Sequence, residues 1–589
     1  MSVQATLTPN IGLDPHRRRL ESWKEIAAYL GRDVTTVRRW EKREALPVHR
    51  LHHSKLGSVY AYTTELDAWR NERASAASAG APDSDFAPRS PWLAARLPTA
   101  ILLVVVIAIF AVGLTWFGRA RTVSQPINAS PRIRSLVVLP LENFSGNPDQ
   151  DYLSDGMTEA LISRLSTIHS LRVISRTSAM HFKGTRKSLP AIGKELNVDA
   201  VVEGSVLRSG DKIRITVQLI RADTDEHLWT ATYDRELQDV LTLQNDVTYG
   251  IAHHVEIAVN GVPARSIAPR RTVAPDVYEA YLKGRFALHK GSRAGLEEAR
   301  HHFQSALEAD PTFAPAYAGL AATYSALGLV FYGAPPAETR PKVLAAARKA
   351  LELDPELSEA RAELGDALQK DWHWAEAEAE YKRAIELSPN NAAAYGGLAQ
   401  WLLCHGRTEE ALASARRAQE LDPQEFNGAQ VGWILFHGRR YNEALRELRT
   451  AQAIEPQDAM AVWFLGFVLI AAEHYDEAIT TLERAASLSN RSSAVLGVLV
   501  HAYAAAGRRA EALRVLHELD RRRESSYVPP AAFLNAYLGL GDNEEAFAWL
   551  ERCAEEHSNI VQFLRSHPFF DPLRHDPRFA TFLRRANLQ

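Results

Sequence analysis

Between Arg96 and Arg119 lie 22 residues without a charge, and Pro98–Phe117 within them reads PTAILLVVVIAIFAVGLTWF. As an α-helix such a run extends ~30 Å, the thickness of a bilayer's hydrocarbon core. Inside lipid a helix satisfies its backbone polar groups within one segment, so the run predicts a single transmembrane helix at 98–117. No amphipathic face interrupts it, which argues against a buried helix of a soluble domain. A cleaved signal peptide fits less well, because 97 residues precede the run. The chain is expected to place a small N-terminal part and a large C-terminal part on opposite sides of a membrane.

The net charge of −3 decides little, but its distribution is informative. From Pro15 to Arg73 there are 13 Lys and Arg against 8 Asp and Glu, with four histidines besides. A basic module on a near-neutral chain points to an anionic partner for that module. Ser22 followed by Glu25 forms a capping box for a helix carrying Trp23, Ile26, Ala27 and Leu30 on one face. Gly31 closes that helix, and Asp33 can cap a second running from about Val34 to Arg43. Helix, Gly-containing turn, helix is the geometry that puts a second helix into the major groove. Val34, Val37 and Trp40 or Glu41 face back. Thr35, Thr36, Arg38, Arg39 and Lys42 face out, a hydroxyl and guanidinium set suited to bases and phosphates. A basic turn from His49 to Lys55 and the strand-like Val59–Tyr62 suggest a small wing, and Thr63 or Thr64 caps a last helix that ends in Trp69.

The pattern IAxxLGxxxxTVRRWE…LP…VYAYxxELDAW resembles the excisionase/MerR-like class of winged helix-turn-helix domains. The resemblance implies sequence-specific DNA binding by residues 15–73. Thr35, Thr36, Arg38 and Arg39 would lie on the recognition helix, and Arg50, His52 and Lys55 on the wing. Function would need two modules on DNA, hence a homodimer when active. Residues 74–97, rich in Ala, Ser and Pro, read as a flexible linker. The charge flanks favour the reverse topology, with Arg89 and Arg96 before the run and Arg119, Arg121, Arg132 and Arg134 after it. A DNA reader must share a compartment with DNA, so the expected localisation is the inner membrane, N-terminus cytoplasmic and C-terminus periplasmic.

Residues 132–260 read as an α/β domain. Short apolar runs at Leu136–Leu141, Leu171–Ser175 and Ala200–Val206 alternate with helical patterns at Asp151–Thr167 and Leu189–Leu196. Ser209-Gly210-Asp211 then turns into Lys212–Arg221, where Ile213, Ile215, Val217 and Leu219 alternate. The order βαβαβββα predicts a mixed sheet with helices on it. The stretches SLVVLPLENFSGNPDQDYLSDGMTEALISRLS and DAVVEGSVLRSGDKIRITVQLIRADTDEHLWTATYDR resemble the TolB-like amino-terminal (FlgO-like) domain, which implies a protein-contact or sensing module. Asp149, Asp151 and Asp155 could suggest a metal site, but a solvated loop capping the next helix is the better reading.

From residue 276 to 560 a period near 34 appears. Prolines recur at 311, 355, 389, 423 and 456, and helices of the form Ala-x3-[Phe/Tyr/Leu/Ala]-x2-Ala recur with them, such as Ala377-Tyr381-Ala384. This matches the tetratricopeptide pattern, about eight repeats stacked as an all-α superhelix with a concave face. Residues 561–589, with RSHPFFDPLRHDPRFATFLRR, look like a C-terminal cap. In that family fixed first-helix positions line the groove, which carries over to Phe426, Trp433, Phe436, His437, Met460, Trp463, Phe467 and Ile470. Such a strip suits a protein or peptide partner, while interhelix packing is the somewhat better explanation of it.

Phosphate-loop, dinucleotide, nucleophile-elbow and zinc-protease motifs are absent from the sequence. The histidine pairs at 52–53, 253–254 and 301–302 lack ligands at metal spacing, and Cys404 and Cys553 fall in separate repeats. No enzymatic role, cofactor or metal is therefore expected. The layout is similar to membrane-anchored transcription regulators of the ToxR/CadC type, while a membrane-tethered repeat scaffold or accessory subunit with a non-DNA-binding head is the alternative.

Overall fold

In the computed structural model the described residues are 19–78 apart from 21, 45 and 51–58; 133–257; and 273–588 apart from 291, 329–333 and 426–427. They fall into two units, one within residues 1–124 and one within 125–589.

The first unit contains β1 (Arg19–Leu20), α1 (Trp23–Leu30), α2 (Val34–Glu44), β2 (His49–Arg50), β3 (Val59–Tyr62) and α3 (Thr63–Ser78). The three strands pair antiparallel in the order β1-β3-β2. Ser22 Oγ accepts the Glu25 N–H, and Gly31 ends α1 at φ 65°, the left-handed value a side chain would disfavour. Leu20, Ile26, Ala27, Val37, Leu46, Ala61 and Leu66 form the core, which the half-buried Trp40 and Trp69 flank. Helix α3 continues to Ser78, past the last apolar residue of its pattern.

The second unit opens with β4 (Ser135–Val138), β5 (Glu142–Asn143), α4 (Asp151–Leu165), β6 (Arg172–Val173), α5 (Arg176–Met180), α6 (Leu189–Glu195), β7 (Ala200–Ser209), β8 (Lys212–Arg221), β9 (Glu226–Glu236) and α7 (Val240–Ile257). The sheet order is β6-β4-β7-β8-β9, with β5 added to β7. Strands β6, β4 and β7 run parallel, while β7-β8-β9 form an antiparallel meander. Ile213, Ile215, Val217 and Leu219 of β8 all point into the core.

Eight helix pairs follow among the described residues, from Pro275–Leu288 to Asn543–Glu555. One alanine row of the second helices is completely buried, among them Ala299, Ala306, Ala377, Ala384, Ala444 and Ala451. Close approach needs these small groups. A Cβ at Gly397 would lie 2.3 Å from the ring of Tyr381, the large residue between Ala377 and Ala384.

The α/β region and the array are docked through the turns between repeats. Asn390 Nδ2 donates to the carbonyls of Ser166 (3.0 Å) and Leu171 (2.8 Å), and its Oδ1 accepts the Val173 N–H (3.1 Å). One turn later Ser178 Oγ donates to Asp422 (2.7 Å), and the Ser175 N–H to the Leu421 carbonyl (2.9 Å). Glu159 on α4 pairs with Arg176 at 3.3 Å and with Arg285 of the first repeat. The prolines at 389 and 423 thus end a helix and expose a docking ledge.

Two expectations are corrected. Among the described residues no helix is long and apolar enough to cross a membrane, so the transmembrane element of the expected fold class and the single-pass inner-membrane localisation are not supported. The physical reason is length against polarity. The most apolar helix, Ala459–Ala471, has 13 residues and so spans ~20 Å, short of a hydrocarbon core. The 18-residue helices Val240–Ile257 and Pro336–Leu353 carry polar faces. The run Pro98–Phe117 itself lies outside the described residues.

Candidate functional site

Helix α2 is held by its inner face. Val37 is 0% exposed, and Val34 and Trp40 pack beside it. Its outer face carries Thr35, Arg38 and Arg39, all exposed. Asp33 caps the helix by accepting the Thr36 N–H (2.8 Å) and the Thr36 hydroxyl (2.7 Å). These hydrogen bonds hold the Asp33 carboxyl below its usual range. Thr36 is therefore committed to the cap rather than turned wholly outward. The Arg38 guanidinium lies 5.3 Å from the ring of Trp23, so α1 helps orient it. Lys42 falls in the last turn of α2 and Arg50 on β2. His52 and Lys55 lie outside the described residues. Beside the strands, Arg19 stacks on Tyr60 at 4.1 Å, and His49 Nε2 meets Glu65 at 2.7 Å.

The repeat groove is different, because the chain itself fills it. The segment after the last repeat, with helical turns at Asn559–Phe563 and Pro568–Leu573, runs along the concave side. Phe563 lies 5.9 Å from Trp433 and 4.8 Å from His437, ring to ring. Phe569 lies 5.3 Å from Phe467 and 4.1 Å from His501. Ser566 Oγ and His437 Nδ1 are 2.7 Å apart, and Gln369 donates to Gln562 at 2.7 Å. In consequence Phe436 is 0% and Phe467 2% exposed, Trp433, His437 and Ile470 are buried, and Met460 and Trp463 are half-buried. Phe426 lies outside the described residues.

Burial sets the chemistry of this region. It lowers the imidazoles of His437 and His567 well below their ordinary value, so both are neutral. It raises the thiols of Cys404 and Cys553, which are free and buried. In the acidic loop of the α/β region, Lys183 bridges Asp155 (2.8 Å) and Asp151 (3.2 Å), and Asn143 donates to Asp151 (2.9 Å). Asp149 stands apart and exposed.

Sequence reasoning missed the self-filled groove and the docking role of Asn390. The aromatic pair Phe569-Phe570 in the tail was the available signal for the first. Nothing local marks Asn390.

Comparison with known proteins adds findings of three kinds. Residues 132–249 match the family described as HilA/YgeH-like transcriptional regulator, second domain. That match is to a regulator's domain where the sequence suggested a TolB-like one, and it does not show a ToxR/CadC layout. Residues 380–413, 435–494 and 469–528 match tetratricopeptide repeats. "Putative adenylate cyclase 3" of Rhizobium meliloti (strain 1021) is 36% identical over 197 residues, 33% of this chain and 34% of the relative. The chain thus spans about a third of that relative's length. This relative corrects the reading of the chain as a non-enzyme: a third of the sequence is shared with a protein bearing an enzyme's name, so missing motifs do not place the chain outside enzymes. Among solved structures, the tetratricopeptide protein YrrB is 23% identical with a TM-score of 0.22, covering 32% of this chain and 91% of that one. A thermophilic tetratricopeptide protein of Thermus thermophilus is 18% identical with a TM-score of 0.28, covering 33% and 99%.

Proposed function

We propose that the chain is a DNA-binding transcription regulator whose repeat array docks a protein partner. The observation that carries the reading is α2: a helix locked by Val37 into a separate small core, with Thr35, Arg38 and Arg39 on its exposed side. An exposed hydroxyl-and-guanidinium row of this kind can meet base edges and phosphates in a major groove. Lys42, Arg50, His52 and Lys55 would add phosphate contacts, which position without specifying. The family match over residues 132–249 supports a regulator, and the tetratricopeptide matches support a protein or peptide partner. Two copies on adjacent half-sites would raise the modest affinity of one small head.

A partner that uses Trp433, Met460, Trp463 and Phe467 must compete with the segment Asn559–Leu573, which already covers part of that wall. The test of the DNA reading is selection of bound duplexes from a random pool by the full chain. A regulator enriches one short motif. Recovery of unselected sequence by the wild-type chain would refute it and favour a scaffold.

A further inference from the structure

The two edges of the α/β sheet are treated differently. At β6 the array supplies the missing neighbour: Asn390 accepts the Val173 N–H at 3.1 Å, and the Leu421 carbonyl accepts the Ser175 N–H at 2.9 Å. At the far edge β9 runs for 11 residues, and among the described strands it pairs with β8 alone. A further bond to its main chain comes from its own Arg235 side chain, to the Asp234 carbonyl at 2.9 Å. An uncovered strand edge is a row of unused N–H and C=O groups, ready to template another strand, and folded proteins blunt it with lysine or proline. Strand β9 contains neither. Its centre, Leu228–Tyr233, reads LWTATY, uncharged and rich in strand-forming residues.

Helix α7 covers the inner face of β9 with residues one turn apart. Asp246 accepts from Arg235 (2.8 Å), Gly250 lies against the Tyr233 and Trp229 rings, and His254 stacks on Trp229 (5.0 Å). Val247, Ile251 and Val255 are buried. Tyr249 and His253 precede Gly250 and His254 by one residue, a rotation of about 100°, which turns them away from that buried row and past the strand's edge. Tyr249 is 51% exposed and stacks on His253, ring to ring at 5.8 Å and 7°. An exposed aromatic pair thus stands beside the uncovered strand.

Strand β9 is also complementary to itself. Leu228 has no partner on β8, where the register shifts, so the regular part of the strand is Trp229–Glu236. A second β9 laid antiparallel about Thr232 uses that part. Thr232 then faces Thr232, Ala231 faces Tyr233, Thr230 faces Asp234, and Trp229 faces Arg235; opposed residues share a face of the sheet. No like charges are opposed in these pairs, and each pair is favourable. The threonines extend the contact Thr232 already makes with Thr216 (3.2 Å). The Thr230 hydroxyl reaches a carboxylate that Arg214 holds at 2.7 Å. A guanidinium meets an indole.

We propose that β9 is the contact between two copies of this chain, joined antiparallel about Thr232 into one continuous sheet, with the Tyr249–His253 pairs at its flank. The occupant is a second copy rather than a different protein, because the strand's charges are matched by its own sequence reversed. The inference supplies the second copy that the DNA reading uses, but it rests on the α/β region alone.

The test uses the full chain without DNA. Thr232→Cys should give a disulfide-linked dimer on mild oxidation, because residues opposed across antiparallel strands lie ~4.5–5.5 Å apart, within disulfide reach. Thr230→Cys, roughly 14 Å from its counterpart, should not. Both positions are exposed, and the native cysteines are buried. Light scattering should show a dimer of the wild type. Thr232→Lys, which opposes two ammonium groups, should raise its dissociation constant at least tenfold, and Tyr249→Ala at least twofold. In the wild type, exchange of the Thr230–Tyr233 amides should slow as chain concentration rises. A monomer with concentration-independent exchange leaves the edge to a different partner and overturns the proposal. Equal cross-linking at the two positions, or a dimer unchanged by Thr232→Lys, overturns it as well. DNA affinity plays no part in the readout, so a failed regulator reading and a failed dimer contact are told apart.

Discussion

The head and the repeat groove were both assigned residues for binding, yet they treat those residues oppositely. On α2, Thr35, Arg38 and Arg39 are exposed because the head is too small to cover them: among the described residues its core cluster holds seven buried side chains. In the groove, Trp433, Phe436, His437, Phe467 and Ile470 are buried because a tail distant in sequence folds back over them. Polar outward positions on a small domain remain surface, since burying a guanidinium without a partner is costly. Apolar outward positions on an open array invite any apolar segment, and the nearest one belongs to the same chain. A motif of charges therefore states availability more reliably than a motif of aromatics.

Ending the chain after His557 should show the largest difference between the two regions. It removes Phe563, Phe569, Phe570, Leu573, Phe579 and Phe582, all buried, each worth roughly 1.5–3 kcal/mol. That sum is comparable with the ~5–15 kcal/mol stability of a domain. Calorimetry should show loss of the array's cooperative transition while the head's remains; an unchanged array transition would mean the tail is an ornament. Phe570→Ala should cost about 3–5 kcal/mol in denaturant unfolding and leave DNA binding intact.

Asn390→Ala should destabilise the second unit by about 2–4 kcal/mol, because three backbone groups of the α/β region lose their partner at once. Hydrogen exchange should rise first around β6; uniform exchange across the sheet would contradict the docking role.

Acid should act on the groove and spare the head. His437 and His567 are neutral when folded and take up protons at an ordinary value near 6.5 when unfolded. The unfolded state binds more protons below that value, so their contribution is present above pH 6.5 and is lost as pH falls. By pH 5 each imidazole removes up to about 2 kcal/mol, and His567→Gln should flatten the decline. The smallest effect is expected in the head. Asp33→Ala removes the cap from Thr36 and should cost about 1 kcal/mol, read in the head's melting temperature.

The same contrast explains what the sequence made legible. The capping residues Ser22, Gly31 and Asp33 each bond to backbone no more than four residues away, so α1 and α2 could be read locally. The alternation in β8 and the alanine spacing of the repeats are likewise local periodicities. The tail's course is not local. Its phenylalanines read as core of some kind, but which core depends on superhelix curvature, which no short window encodes. Asn390 belongs with it, since an asparagine after a helix-ending proline ordinarily serves its own turn. The membrane expectation rested on one apolar run and gave no information on the helices that the structure describes.

Fluorescence anisotropy of the selected duplex with the full chain, wild type against the Arg38→Ala, Arg39→Ala pair, over a salt series, tests the central claim most directly. Loss of two groove cations should weaken binding at least about 30-fold and reduce the salt slope by about two. Equal affinity and equal slope in the two proteins would contradict the account.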